Sequence, residues 1–573
     1  MAKDPALADE MSVKPAAAHT GNAPKALPYY RKLVPRGEAA TLLGLMVVSS
    51  MIEGSGLLML IPIAQNTLAD GVTQASGWAP AWFRALSLSQ ALGIFVILVG
   101  LRATIQYAVS IRTSRVVLTA TETLRRLAQT ALMAAEWRWL AWQDSAILAN
   151  LIVSQSERIA NHLLPLFAVS AGIVTAIVLS LTASALAPVF TAAVVAVGLL
   201  VALPVALLRS RSQSDGEAFV AASAALHRLV ANGTAHLRSA RIADVEPWLE
   251  RAFDRAAADV RATEMRFERR VAFARASMQV LAAIALAALV YSAVAGELVP
   301  LAVLLPVLAI FIRLVPIALT MQQARRSWQF AAPAVVEMEA LIAGARAERE
   351  DRHTGGEAPR LTRQLKVCDL SYRAPDRDGA ILDDVTFAIP AGSVVSLSGP
   401  SGSGKSTLAD LLSGLLTPDG GTISIDDGEL SGPQRSAWRS RVAYVEQHPF
   451  LWPGTIRENL IWGRTDIGQE ELRRALDLAA ADFVNALEGG LDFRLADMGR
   501  PLSGGERQRL SFARAFLRRP DLLIVDEALA SLNPDLRRQL LDNIRAVGVT
   551  TLLVNHDEPV GIDIDLRIAL PGR

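Results

Sequence analysis

The stretch SVVSLSGPSGSGKSTL, residues 393–408, decides the fold of the C-terminal part of this chain. It runs from a short β-rich segment through a glycine-rich turn into a helix-like segment, and Gly399 to Ser406 satisfy the spacing G-x-x-x-x-G-K-[ST]. In this arrangement backbone N–H groups can surround phosphate oxygens at the positive end of a helix. The sequence therefore predicts a phosphate-binding loop on an α/β domain.

Residues of this loop and of a later strand are predicted to have separate roles in nucleotide hydrolysis. Lys405 is expected to reach the β- and γ-phosphates, and Ser406 to ligate Mg²⁺. The run LLIVDE, residues 522–527, ends a predicted strand with two carboxylates. We expect Asp526 to support the Mg²⁺ shell and Glu527 to polarise the attacking water as general base. The predicted ATP contacts within the loop are Gly399, Ser401, Gly402, Gly404, Lys405, Ser406 and Thr407.

Residues 502–506 read LSGGE, which resembles the signature motif of the ATP-binding cassette (ABC) ATPases. In that family two nucleotide-binding domains close head to tail, and each ATP lies between one subunit's phosphate loop and the partner's signature. The resemblance implies that Ser503, Gly504 and Gly505 contact the γ-phosphate held by a second subunit. Because the chain has one such domain, the resemblance implies a dimer of half-transporters, with a homodimer as the simplest form.

Three further segments resemble the same family in chain order: LSYRAP, VAYVEQHPFLW and LLVNHD. The resemblance implies that Tyr372 stacks on adenine, that Gln447 is the Q-loop glutamine near Mg²⁺, and that His556 is the switch histidine. One departure is ASLN, which places Asn533 where the family usually has aspartate. The lost charge predicts altered contacts across the dimer interface, whereas the intact Glu527 predicts active hydrolysis.

The composition of the whole chain indicates that it also enters a membrane. Of 573 residues, 51% are hydrophobic and 20% charged, and the mean hydropathy is +0.31. This is more apolar than soluble domains usually are and more charged than a chain lying wholly in lipid. The net charge of +1 gives no global attraction to nucleic acid. A single cysteine, Cys368, excludes a disulfide framework and a multi-cysteine metal site.

Six apolar stretches are long enough to span a bilayer, which takes about 20 residues. They are approximately 39–65, 89–111, 162–185, 187–208, 273–295 and 298–321. Two long polar insertions separate them on one side and carry most of the arginines, which by the positive-inside rule places both termini and the insertions in the cytoplasm. The predicted fold is a membrane all-α six-helix bundle with long cytoplasmic helical extensions, followed by an α/β P-loop ATPase domain.

The composition divides the chain into four predicted parts. They are a disordered cytoplasmic tail at 1–25, a transmembrane domain at 26–342, a linker at 343–363 and the nucleotide-binding domain at 364–573. This order resembles the half-transporters of ABC exporters. The resemblance implies a short coupling helix at the end of each insertion, which we place near 137–145 and near 216–229. The tryptophans of the first segment suit either a membrane-surface anchor or an ATPase contact.

The resemblance implies ATP-driven export of a peptide or small amphipathic molecule across the inner (plasma) membrane by alternating access. A flippase for a lipid or lipid-linked intermediate is an alternative, as is an importer built on exporter architecture. A nucleotide-gated channel or regulator belongs to a different class, and the intact Glu527 argues against it. The expected partners are a second half-transporter, the cargo and membrane lipids, with no role for nucleic acid.

Three charged residues fall within the predicted spans: Glu53, Arg102 and Arg313. Counted from the ends of their spans, they lie at similar depth. Charges inside a membrane are rare, are usually paired, and often mark a transport pathway. We expect Glu53 to pair with an arginine inside the bundle, with Arg313 favoured over Arg102. A structural ion pair is favoured over direct contact with the cargo, because unpaired burial of a charge is costly.

Overall fold

The computed structural model describes residues 33–58, 87–186, 188, 191–192, 196, 212–295, 301–352, 357–375, 379–496, 499–555 and 563–571. The chain divides into two compact units. The first comprises Met1–Ala134 and Trp142–Ala347, and the second comprises Ala135–Ala141 and Glu348–Arg573. A short segment that lies within the N-terminal half of the sequence therefore packs as part of the C-terminal unit.

Long helices build the first unit. The longest have 46, 50 and 47 residues, which at 1.5 Å per residue is about 70 Å each, more than twice the thickness of a hydrocarbon core. This length fits membrane helices that continue well beyond the bilayer. The helices are α1 (Arg36–Leu58), α2 (Leu88–Met133), α4 (Ser145–Ala149), α5 (Ser156–Leu186), α6 (Ser212–Ala235), α7 (Leu237–Ile242), α8 (Glu246–Ala295) and α9 (Leu301–Ala347), with a π-helical stretch at Asn150–Gln155, while α3 (Trp137–Leu140) belongs to the second unit.

Within the described residues, two helical stretches are long and apolar enough to cross a membrane. They lie at Ser89–Met133 and Glu246–Ser292, and a shorter apolar stretch follows Ala168. They overlap the second, fifth and third predicted spans. Parts of the first, fourth and sixth predicted spans lie outside the described residues.

The predicted position of the second coupling helix, residues 216–229, is wrong. Helix α6 runs through that position to Ala235 without interruption, and the chain reverses over residues 236–245, which include the short α7. Asp244 there adopts the left-handed region with φ of 53°, and Pro247 is the second residue of α8. A proline ring clashes inside a helix but is compatible with its first turn, so the reversal comes before Pro247.

Helix α6 packs closely against its neighbours at the position predicted for the coupling helix. A Cβ on Gly216 would lie 2.3 Å from the carbonyl oxygen of Phe330, so only glycine lets α6 approach α9 this closely. Nearby, the guanidinium of Arg158 contacts two rings, 4.1 Å from the centroid of Phe219 and 4.3 Å from that of Phe330. These contacts pack the N-terminal turns of α6 against its neighbours.

The second unit contains a parallel sheet, an antiparallel sheet and surrounding helices. The parallel sheet has strand order β11-β3-β10-β9-β6, the antiparallel sheet has order β2-β1-β4-β5, and β7 pairs with β8. The strands are β1 (Gln364–Arg373), β2 (Ala380–Pro390), β3 (Val394–Ser398), β4 (Gly420–Ile425), β5 (Gly428–Glu429), β6 (Val442–Val445), β7 (Gly454–Thr455), β8 (Arg494–Leu495), β9 (Leu522–Asp526), β10 (Thr550–Val554) and β11 (Leu566–Ala569). The helices are α10 (Lys405–Leu412), α11 (Gly432–Trp438), α12 (Ile456–Ile461), α13 (Gln469–Leu478), α14 (Phe483–Ala486), α15 (Gly504–Leu517) and α16 (Pro534–Val547).

The central strands of the parallel sheet are buried on both faces. Along β9, Leu523 and Val525 join one apolar cluster while Leu522 and Ile524 join another. Successive side chains of a strand point to opposite faces, so the two clusters lie on opposite sides of the sheet. Continuous apolar strands are typical of a parallel sheet covered on both faces. The predicted α/β architecture of the C-terminal part is confirmed.

Candidate active site

Four strands of the parallel sheet deliver the predicted site residues from the same edge. The phosphate loop follows β3 at Ser398, Gln447 comes two residues after the end of β6, Asp526 ends β9, and His556 comes two residues after Val554 at the end of β10. Parallel strands all present their carboxyl ends at one edge, where ligands of such sheets bind. The topology therefore brings together segments that are far apart in the sequence. His556 itself lies outside the described residues, which end at Asn555 after β10, so its position at this edge stays a prediction.

Backbone geometry shapes the phosphate loop. Gly404 has φ of 93°, and a Cβ there would lie 2.9 Å from Cδ2 of Leu382, so the loop requires glycine just before α10. Lys405 opens α10, and its side chain donates from Nζ to the carbonyl oxygens of Gly399 at 2.7 Å and Pro400 at 3.0 Å. These bonds hold the ammonium group over the loop.

The hydroxyls predicted to contact ATP or metal lie at the same place. Ser406 follows Lys405 in the first turn of α10 and is exposed, as is Ser401 in the loop, while Thr407 is half-buried. Ser403 Oγ is buried without a hydrogen-bond partner among the described residues. An unsatisfied buried hydroxyl is unfavourable, and a bound group that supplied the missing bond would stabilise it.

The predicted general base and the Q-loop glutamine contact each other. Gln447 donates from Nε2 to Oε2 of Glu527 at 2.7 Å, although the two are 80 residues apart. Glu527 itself adopts the left-handed region with φ of 51°, and its N–H donates to the carbonyl oxygen of Val554 at 3.0 Å. Strand β6, which pairs with β9, supplies Tyr444, whose hydroxyl donates to Oδ2 of Asp526 at 2.9 Å. Both carboxylates of the DE pair are thus oriented by hydrogen bonds from β6 and the residues after it.

Two residues near these carboxylates, Asp410 and Tyr444, are assigned no role by the sequence motifs. Asp410, on α10, is largely buried, and this burial, reinforced by the charges of Asp526 and Glu446, raises its pKa to about 7. Burial, with the neighbouring Asp526, likewise raises the pKa of the Tyr444 hydroxyl far above its usual range. In the sequence, the signal for Asp410 is a lone carboxylate within the apolar run LADLL, a pattern that indicates a charged side chain facing the interior.

The signature segment begins a helix through a reciprocal cap. Ser503 is the N-cap of α15, and Oε2 of Glu506 accepts from its N–H at 2.7 Å and from its hydroxyl at 2.8 Å. The bond from the Ser503 N–H is the main reason that the pKa of Glu506 is lowered. Among the described residues, a Cβ on Gly504 would meet no heavy atom within 4 Å, whereas one on Gly505 would make ordinary contact with Leu532 at 3.7 Å. The space beside Gly504 is thus open with respect to the described part of this chain.

Asn533, the departure from the family pattern, has a structural role. It is the N-cap of α16, and its Oδ1 accepts from the N–H of Leu536 at 2.8 Å. Asparagine and aspartate cap helices about equally well, so the amide retains the cap and loses only the charge. The effect of that lost charge across a dimer interface stays a prediction.

Tyr372, which is predicted to stack on adenine, lies near the end of β1. The residue is 4% exposed and packs in the apolar cluster between the two sheets. Its partner across the β1–β2 ladder is Leu382, and the guanidinium of Arg138 lies over the ring, 5.2 Å from its centroid. Its stacking on adenine stays a prediction.

Of the three charged residues in the predicted spans, Arg102 has a described side chain. Glu53 lies in α1 and Arg313 in α9, but their side chains lie outside the described part of the structure. Arg102 lies in α2 and is half-buried. The pairing of Glu53 with either arginine stays a prediction.

Residues 382–530 match the family described as ABC transporter. The C-terminal part is similar to a multidrug resistance ABC transporter ATP-binding and permease protein of Lactococcus lactis, with 36% identity over 223 residues, which cover 38% of each chain. It is also similar to an ATP-dependent lipid A-core flippase of Pseudomonas fluorescens, with 39% identity over 197 residues, which cover 34% of this chain and 33% of the relative. The chain therefore spans about a third of the length of these relatives.

The fold of the whole chain is similar to one solved structure in particular. A bacterial Atm1-family ABC exporter with ATP bound has a TM-score of 0.79 at 22% identity, covering 93% of this chain and 94% of that one. The similarity therefore extends through the helical unit as well as the ATPase unit. Residues 382–530 form an ABC transporter ATP-binding domain, and the chain as a whole has the fold of an ABC exporter.

Proposed function

We propose that this chain is one half of a dimeric exporter that hydrolyses ATP to move a small amphipathic molecule or peptide out of the cytoplasm. The observation that carries the proposal is the hydrogen bond of 2.7 Å between Gln447 and Glu527, formed at the edge of the sheet that also bears the phosphate loop. It supports a role for Glu527 as general base in hydrolysis of a nucleotide bound by that loop.

The residues of the site have distinct proposed roles in hydrolysis. The loop from Gly399 to Thr407 binds the triphosphate, with Lys405 neutralising the β- and γ-phosphates. Glu527 takes the proton of the attacking water, Gln447 orients Glu527, and His556 stabilises the γ-phosphate as it leaves. The strained backbone of Glu527 fixes the direction of its carboxylate, which a flexible loop would not.

The donors at the site suit Mg²⁺. Ser406, Gln447 and Asp526 supply a hydroxyl, an amide oxygen and a carboxylate, which are the hard oxygen ligands that this ion prefers. Within the described residues there is no cluster of three His, Cys, Asp or Glu side chains that could hold a metal by itself. A site with one carboxylate suits an ion that takes its other ligands from phosphates and water. When bound, Mg²⁺ would neutralise the charge that develops on the phosphates.

The proposed active form is a homodimer. Ser503, Gly504 and Gly505 have their open edge at the start of α15, where a helix N-terminus attracts anions. A phosphate from a second copy would fill this space. One ATP would thus be held by the loop of one subunit and the signature of the other.

The proposed site of action is the inner (plasma) membrane, with both termini and the ATPase unit in the cytoplasm. The Arg-rich polar insertions support this orientation. Glu53, with Arg313 or Arg102, is proposed to form an ion pair inside the helical bundle. The multidrug resistance relative supports a small amphipathic cargo.

A second candidate is a flippase for a lipid or lipid-linked intermediate. The relative named an ATP-dependent lipid A-core flippase supports it, and that relative has the higher identity of the two, at 39% against 36%. A flippase and an amphipath exporter share the same ATPase chemistry, so they differ only in cargo.

Purified chain reconstituted in lipid tests the proposal. We expect Mg²⁺-dependent ATPase activity that Glu527→Gln reduces at least a hundredfold while ATP binding persists. Inside-out proteoliposomes should then accumulate a fluorescent amphipath or peptide, or flip a labelled lipid, only with ATP and only with intact Glu527. Absence of ATPase activity in the parent, or equal activity in Glu527→Gln, would refute hydrolysis. Passive ion flux opened by ATP would instead indicate a channel, and cargo movement in the opposite sense an importer.

A further inference from the structure

The segment between β6 and β7, residues 446–453, carries Gln447 to the proposed general base and belongs to no helix or strand. The side chain of Gln447 is exposed, so close packing does not set its direction. Its Nε2 nevertheless donates to Oε2 of Glu527 at 2.7 Å. The direction of this bond therefore depends on the backbone of the segment, and the groups that hold that backbone decide how Glu527 is oriented.

Side chains of helix α15 hold this backbone at two points. Gln508 donates from Nε2 to the carbonyl oxygen of Glu446 at 2.9 Å. Arg514 donates from Nη1 to the carbonyl oxygen of Phe450, also at 2.9 Å. Gln447 lies between these two attachment points, directly after the first.

The contact made by Gln508 acts on Gln447 through one peptide unit. The carbonyl group of Glu446 and the N–H and Cα of Gln447 belong to the same peptide unit, which is planar. A hydrogen bond that fixes this carbonyl group therefore also fixes the plane from which the Gln447 side chain departs. Gln508 is 1% exposed, so its bond lies where water does not compete and where an unpaired polar group is costly.

Helix α15 is a rigid support for Gln508. Leu510 and Phe512, which follow it on the helix, are 1% and 0% exposed in an apolar cluster of the same unit. Val525 of β9 belongs to the same cluster, and β9 ends immediately before Glu527. The helix that supplies Gln508 and the strand that supplies the proposed base are thus packed together, with the 446–453 segment joining them.

We propose that Gln508 is a positioning residue for the general base, because by holding the carbonyl group of Glu446 it directs the amide of Gln447 onto Glu527. The inference rests on the proposed function, which gives Glu527 the proton of the attacking water. Gln508 acts only through Gln447. Loss of its donor should therefore lower the rate of hydrolysis and leave nucleotide binding by the phosphate loop intact.

A double-mutant cycle tests whether Gln508 acts through Gln447. Gln508→Met keeps an unbranched side chain and removes the donor. In full-length protein reconstituted in lipid we expect it to lower kcat roughly three- to tenfold, from the loss of one hydrogen bond, and to leave KM for ATP within about twofold of the parent. In the Gln447→Ala background the same substitution should lower kcat no further, because the side chain that it orients is already gone.

Asn543→Leu is the matched control for loss of a side-chain amide. Asn543 donates from Nδ2 to a backbone carbonyl oxygen of the same unit, that of Leu478, at 2.9 Å. This substitution should lower the unfolding temperature, as Gln508→Met should, but leave kcat at the value of the parent. The comparison separates a loss of stability from a loss of orientation.

Hydrogen exchange of the reconstituted protein measures the same contact without hydrolysis. Peptides that cover residues 446–452 should exchange faster in Gln508→Met than in the parent. Residues 399–407 of the phosphate loop should exchange at the rate of the parent. This measurement, with the separate effects on kcat and KM, also decides the case in which Gln447→Ala leaves no measurable rate.

An equal fall in kcat from Gln508→Met in the parent and in the Gln447→Ala background would overturn the inference, because the effect would then not pass through Gln447. A raised KM with unchanged kcat, or unchanged exchange of residues 446–452, would overturn it as well. A parent protein without ATPase activity, or with a rate that does not depend on Glu527, would refute the proposed function itself. The exchange data would then still show whether Gln508 holds the segment, which distinguishes the two failures.

Discussion

Replacing Gly504 with alanine should impair closure of a dimer around ATP without lowering the stability of the ATPase unit. The added methyl group meets no heavy atom of the described residues within 4 Å, and Gly504 is the first residue of α15. Alanine is favoured over glycine in a helix by about 0.5–1 kcal/mol, so the variant should unfold at the same or a slightly higher temperature.

The same methyl group should obstruct a phosphate that approaches the helix N-terminus from a second subunit. Losing one hydrogen bond to a charged group costs about 1.5–3 kcal/mol, which corresponds to roughly a ten- to 150-fold fall in ATPase rate. Nucleotide binding to the variant's own phosphate loop should persist, because Lys405 and its neighbours are untouched.

The assay pairs ATPase rate with thermal unfolding of the reconstituted protein. Gly468→Ala is the matched control, because Gly468 precedes helix α13 and its added Cβ would also meet nothing within 4 Å. The control should keep its ATPase rate. An unchanged ATPase rate in Gly504→Ala would refute the shared-site reasoning. A marked fall in its unfolding temperature would instead refute the claim that the space is open within the chain.

Three further predictions concern stability. Asn533→Ala removes the cap of α16 and should cost about 1 kcal/mol, whereas Asn533→Asp should cost nothing; thermal unfolding of both variants checks this. Burial, reinforced by Asp526, raises the pKa of Asp410 to about 7, so folding favours its protonated form, and that stabilisation is complete below about pH 4 and is lost as pH rises through 7. Nucleotide-free Asp410→Asn should therefore match the parent below about pH 4 and exceed it above pH 7 by roughly 4 kcal/mol, and equal pH profiles would contradict the reasoning. Glu350→Ala removes a carboxylate that is 5% exposed and lies 3.7 Å from the buried guanidinium of Arg435, and it should cost about 3 kcal/mol by denaturation, with no loss contradicting the ion pair.

The predictions that depend on short-range sequence patterns agree best with the structure. The spacing of Gly399 to Ser406 depends on local backbone geometry, and the structure places Gly399 to Gly404 in a loop after β3 and Lys405 and Ser406 in the first turn of α10, as predicted. The same holds for Ser503, which caps α15 through a box with Glu506 that can be read from four consecutive residues. Such features depend on residues that are neighbours in the chain, so the order of amino acids is sufficient to predict them.

Predictions that depended on distant packing were weaker. The position near 216–229 for the second coupling helix was wrong because α6 continues through it to Ala235, and no local pattern reveals the packing of Gly216 on Phe330. The burial of Tyr372 and its contact with Arg138 likewise cannot be read from LSYRAP.

The sequence by itself determined that this chain joins long apolar helices to a parallel-sheet ATPase domain, because hydrophobic runs and the glycine-lysine loop are local properties. Only the tertiary structure decided that Gln447 contacts Glu527, that Asp410 is buried near Asp526, and that a segment from the N-terminal half of the sequence supplies Arg138 over the ring of Tyr372. The physical reason is that the parallel sheet aligns its strand ends regardless of their separation in sequence. Contacts made at that edge arise from topology and burial, which no single motif contains.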